Sequence, residues 1–168
     1  MGGGVVLASG IVSLALDVVA NALRSGGGAG MVAALVLPAL FLAYWALQAW
    51  VIDVGAALLA VRGRLRPFMA ASGWAFPPWA AYAVLAVFEA LAVRYTGGPE
   101  SGIASALAWL TLPILAWFIT LTVFAVQAVY QVPALNAFAL ALLPIAFVSA
   151  ALLIVGVVLG ALHGAGTF

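Results

Sequence analysis

Long apolar runs follow one another through this chain with almost no charge inside them, and that pattern restricts its fold more than any other feature. From Val5 to Leu162 the runs break only where arginine, glycine and proline gather. Five arginines and four acids are the whole charge complement, against 68% apolar residues and a mean hydropathy of +1.34. So few charges cannot keep so much apolar surface dispersed in water, and hydrocarbon is the expected solvent of the outer faces. A hydrocarbon core of roughly 30 Å takes about 20 helical residues per crossing. The expected fold is therefore all-α: a polytopic transmembrane helical bundle of about five transmembrane helices, forming one membrane domain over residues 1–168.

The breaks predict spans near 5–23, 31–61, 78–93, 102–130 and 134–162. Asp17 and Asn21 interrupt the first, which either crosses or lies in the interface. The second, fourth and fifth runs are longer than a crossing needs, with Pro38, Pro113 and Pro144 as expected kink sites. Met1 to Gly4 lacks the basic region of a secretory signal, so the first span is expected to be retained. Between the second and third spans, Arg62, Arg64 and Arg66 form a basic loop, and Phe68 to Trp74 is expected to lie along the membrane interface. Arg24 and Arg94 fall at the other side. The excess of arginine on cytoplasmic loops then predicts a multi-pass protein of the cell membrane, with its N-terminus cytoplasmic and its C-terminus outside. Arginine without lysine, with abundant alanine and glycine, fits a GC-rich prokaryotic genome.

Chemistry-bearing residues are sparse. There is no cysteine, and the one histidine, His163, reads as a solvated interfacial group, so no metal site and no cofactor are expected. The Ser25-Gly26-Gly27-Gly28 turn has neither the lysine nor the preceding strand of a phosphate loop. Too few basic residues are present for nucleic-acid binding. Asp17, Asp53 and Glu89 fall within spans and form the candidate polar or ion path, since an intramembrane carboxyl costs a few kcal/mol by insertion scales. Span arithmetic separates Asp53 from Glu89 by about 10 Å along the membrane normal, while Asp17 and Glu89 reach similar depths. No catalytic set converges, and no enzyme is expected. Gly156, Gly160 and Gly164 recur every four residues, a packing stripe that serves either the bundle or a homo-oligomer. The tryptophans and tyrosines cluster toward span ends, as residues of the headgroup belts do.

The segment Gly63-Arg64-Leu65-Arg66 followed by Gly73-Trp74-Ala75-Phe76-Pro77-Pro78 resembles the region of Yip1-family membrane proteins in which a basic, glycine-containing loop leads into Gly-Tyr-x-x-x-Pro. Here tryptophan stands in the tyrosine position. Glycine permits a tight turn, the aromatic ring anchors it, and proline opens the next helix at its permissive first turn. The resemblance extends loosely over the five spans, Trp117 and Pro144. It implies a non-enzymatic scaffold or partner-binding protein in membrane organisation or trafficking, with Gly73, Trp74 and Pro78 as motif positions. Its implied partners are the lipid bilayer and a membrane protein or a second copy of the chain. The rival expectation is a small channel or transporter using the intramembrane carboxylates.

Overall fold

The computed structural model of the chain describes residues 2–25, 30–61, 64–96 and 102–165, leaving aside the side chains of 21–25, 30–38 and 160–165. Among the described residues seven helices follow in order: α1 Gly2–Ser25, α2 Gly30–Leu58, α3 Leu65–Ser72, α4 Pro77–Thr96, α5 Gly102–Trp109, α6 Thr111–Tyr130 and α7 Ala134–Ala165. A 3-10 turn, Gly73–Ala75, joins α3 to α4. Together they make five spans long and apolar enough to cross a membrane, with α3 and α4 in the third and α5 and α6 in the fourth. The chain is thus an all-α transmembrane bundle, as its hydropathy predicts.

Proline explains both interruptions. Pro113 has no N–H to offer the carbonyl of Trp109, four residues back, and α5 ends at Trp109. The fourth span is interrupted there for the single residue Leu110, whose φ of −66° and ψ of −12° stay in the right-handed helical region. Pro77 and Pro78 occupy the first two positions of α4, where no intrahelical donor is needed. Pro38 and Pro144 sit inside continuous helices, α2 and α7. At the end of α2, Ala60 takes a left-handed φ of 62°, and the amides of Ala60 and Val61 turn back to the carbonyls of Ala57 and Ala56 at 3.1 Å each. These two bonds make a Schellman cap built on alanine where glycine is usual.

Packing follows the small residues. The most extensive helix pairing joins α1 to α4. Buried Val6, Ser9, Gly10, Ser13 and Ala20 line one side of α1, and buried Ala83, Ala86 and Ala90 line one side of α4. Slim side chains let two backbones come close, which is how helices gain contact in a solvent as apolar as themselves. At Gly73 an added methyl group would fall on the backbone of Gly2, so α1 starts where α4 starts and the two run parallel. Helix α2 runs the opposite way, with Trp45 beside Gly3 and Phe41 beside Gly10.

The core has two parts. Near the ends of α2 and α6, Ile52 and Ala56 pack with Phe68, Val126, Tyr130 and Leu140. Farther along, Val6, Ala75, Phe76 and Phe118 are buried among Phe41, Trp45 and Trp79. Phe76 meets Phe118 edge-on at 5.8 Å, and Trp79 meets Phe41 and Phe118 at 5.9 and 5.6 Å. These are the offset geometries favoured by the ring quadrupole.

The segment from Phe68 to Trp74 packs on the bundle: α3 lies against α2 and α6, with Phe68 and Ser72 buried and Arg66, Pro67 and Ala70 outward. Its two inward residues fit the helix period, and burying a phenylalanine ring against α2 and α6 gains more contact than leaving it at the bundle surface.

Candidate functional site

Asp53 of α2, Tyr130 of α6 and Arg64, just before α3, make the polar contacts at the end of the bundle where α6 stops. Tyr130, the last residue of α6 and 2% exposed, donates its hydroxyl to Asp53 Oδ1 at 2.7 Å. Asp53 lies five residues before the end of α2 and is half-buried. A carboxylate at this depth gains a partner that desolvation would otherwise deny it. Phe68 packs beside the Tyr130 ring at 5.6 Å and holds it in place. The guanidinium of Arg64 donates to the carbonyl of Val129. That carbonyl belongs to the last turn of α6, where helix oxygens lack intrahelical donors and the dipole favours a cation. Trp45 Nε1 donates to Ser72 Oγ at 3.0 Å, tying α2 to α3.

The motif positions build the joint between α3 and α4. Gly73 has no room for a side chain against Gly2, Pro78 is buried in the first turn of α4, and Trp74 is 60% exposed. Glycine and proline therefore shape the turn while tryptophan points away from the bundle. Of the basic loop, Arg64 caps α6 and Arg66 is exposed, and Arg62 lies outside the described residues.

The remaining carboxylates lie elsewhere. Asp17 is 15 residues from Gly2 and Glu89 is 16 from Gly73, or about 22 and 24 Å along parallel helices at 1.5 Å per residue. Both reach the same height, as span arithmetic expects, and neither they nor Arg94 are without a partner. Phe88, next to Glu89, lines a recess with Leu110, at the opposite end of α6 from Tyr130. Twenty residues of α6, about 30 Å of helix, therefore lie between the Glu89 level and the Asp53–Tyr130 pair. The separation is about three times the expected 10 Å, because α3 stacks along α2 and lengthens the third span.

Gly156 sits in open surroundings, where an added Cβ would meet nothing within 4 Å, so the bundle does not use it for packing. The surroundings of Gly160 and Gly164 lie outside the described residues. Trp50, Trp74, Trp109 and Trp117 are exposed, whereas Trp45, Trp79 and Tyr130 belong to the interior contacts. Composition near span ends hid this division; only helical phase relative to Asp53 and Phe68 marks Tyr130 as inward. Sequence reasoning also passed over Gln48, 1% exposed, whose Oε1 has no partner among the described residues, as with Ser13 Oγ and Trp79 Nε1.

Fold and site together define a class: an all-α, five-span transmembrane bundle whose polar contacts tie helix ends together. No family model, curated protein or solved structure matches the chain.

Proposed function

We propose that this chain is a Yip1-like integral membrane protein that acts as a non-enzymatic scaffold, presenting a partner-binding surface at the joint between α3 and α4. The observation behind this reading is the close seat of Gly73 on Gly2, which makes the joint rigid while Trp74 stays exposed. Arg66 is exposed on the preceding helix. A fixed aromatic side chain with a cation nearby suits recognition of another protein at low entropic cost. The dispersal of Asp17, Asp53 and Glu89 to two ends of the bundle also disfavours catalysis, which needs convergent groups. In this reading the arginine-bearing end and the N-terminus face the cytoplasm and α7 ends outside, at the cell membrane of a prokaryote.

A photo-crosslinking residue at position 74, used in native membranes, tests the role. One reproducible protein partner, lost on Trp74→Ala while the bundle stays folded, supports it. Adducts with lipid alone, with vesicle shape indifferent to the protein, reject it.

The alternative is a small channel or transporter. Its support is the equal height of Asp17 and Glu89, together with the unpartnered Ser13 hydroxyl one turn before Asp17 on the buried face of α1. Proteoliposome flux that disappears on Asp17→Asn or Glu89→Gln favours this alternative; impermeability to protons, cations and small solutes sets it aside.

A further inference from the structure

Where α7 passes α2 and α4, a groove of about 330 Å³ opens on the side of the bundle. Its size is at the lower end of the roughly 300–1,000 Å³ typical of small-ligand sites. Helix α7 packs inward through Ala137, Leu140, Ala141 and Pro144, then is exposed from Ser149 through Leu159. Phe41, Tyr44 and Trp79 wall the groove on one side; Ile145, Val148 and Ser149 wall it on the other.

Its depth is unusual for polar groups. Tyr44 lies 14 residues, about 21 Å, from either end of α2. Ser149 is 15 residues from the start of α7 and 16 from its end, about 22 and 24 Å. Helices of this length overshoot a roughly 30 Å hydrocarbon core, and at any placement that spans it both residues lie several ångströms or more beneath its edges. Yet both carry hydroxyls, and among the described residues neither has a hydrogen-bond partner. Thr96, Thr120 and Thr122 behave differently, each bonding back to the carbonyl four residues earlier. Ser149 stands in a helix where the same bond is geometrically on offer and does not make it.

We propose that this groove binds the ring of a neutral isoprenoid-quinone lipid, with the Tyr44 and Ser149 hydroxyls donating to its carbonyl oxygens and the aromatic wall covering its face. Among the described residues the lining has no charged side chain, which suits an uncharged occupant. Two hydroxyl donors call for acceptors within the hydrocarbon, and aromatic side chains favour a flat ring. A phospholipid meets only part of this requirement. Its ester carbonyls stay at the edge of the core, and an acyl chain alone leaves both hydroxyls unpaired. Only binding is proposed, with no redox step, and it is independent of the scaffold reading above.

The test uses the full chain in lipid nanodiscs, titrated with decylubiquinone while tryptophan emission is recorded. Saturable quenching is expected, weakened at least tenfold in the Tyr44→Phe/Ser149→Ala double variant, and not reversed by added phospholipid. Quenching that rises linearly with quinone mole fraction and is equal in the double variant overturns the proposal. So does displacement by phospholipid. Mapping the adducts of an azido-quinone on the unaltered chain gives a reading that needs no variant. Adducts confined to Leu40–Tyr44 and Ile145–Ser149 support the site, and adducts spread along Leu152–Leu159 reject it.

Discussion

The Tyr130 hydroxyl donates to Asp53 Oδ1 at 2.7 Å across 77 residues of sequence, joining the end of α6 to α2. Tyr130→Phe removes the donor and leaves a half-buried carboxylate unpaired, so the bundle is expected to lose about 1–3 kcal/mol. Asp53→Asn keeps an acceptor in the same place and is expected to lose about 1 kcal/mol or less. Reversible unfolding in mixed detergent micelles measures both. Equal stability of the tyrosine variant and the parent would remove this bond from the account.

Gly73 and Gly156 make an opposed pair. A methyl group at Gly73 collides with Gly2 backbone, while at Gly156 it enters open space. Gly73→Ala is therefore expected to cost about 1–3 kcal/mol, as overpacking does. Gly156→Ala is expected to be neutral, or stabilising by up to about 1 kcal/mol through helix propensity. Thermal unfolding followed by gel filtration ranks the two, and a reversed order contradicts the proposed seat of α1 on the joint.

Ala60 is a target for stabilisation. It holds a φ of 62° at the cap of α2, a conformation in which Cβ crowds the carbonyl oxygen. Ala60→Gly keeps both cap hydrogen bonds and relieves that crowding, for an expected gain of about 1 kcal/mol. A lower melting temperature in the variant runs against this reading of the cap.

Arg64 offers a local test. With Arg64→Gln the Val129 carbonyl loses a charged donor at the negative end of α6, an expected cost of about 0.5–2 kcal/mol. Arg64→Lys is expected to fall between the two. Hydrogen exchange at the amides of Ala128 to Gln131 reports fraying of that last turn, and unchanged protection there speaks against a capping role.

Much of the architecture was legible before any coordinates. Pro77 and Pro78 announce a helix start, and Gly73 announces a tight turn. The break at Leu110 was legible only in part: Pro113 signals a disturbance, but its sequence cannot say whether a helix bends or ends. The site was less legible. Asp53 is conspicuous as a charge in an apolar run, whereas its partner Tyr130 looks like any belt aromatic until the phase of α6 against α2 is known. The Gly156 stripe reads as a packing signal, yet the most extensive pairing joins α1 and α4, whose buried residues include Ser9 and Ser13 on one and Ala83, Ala86 and Ala90 on the other. Alanine is so abundant in this chain that its spacing on α4 does not stand out.

The sequence by itself determined the solvent, the element type and the number of crossings. Hydrocarbon offers backbone N–H and C=O groups no partner, so apolar runs of this length must close their hydrogen bonds within helices. Tertiary structure alone decided that α1 pairs with α4, that α3 stacks along α2, and that Tyr130 is the partner of Asp53. Runs of nearly equal hydropathy carry no address for one another. In lipid the choice among neighbours falls to shape and to a few polar contacts, which exist only once the helices have met.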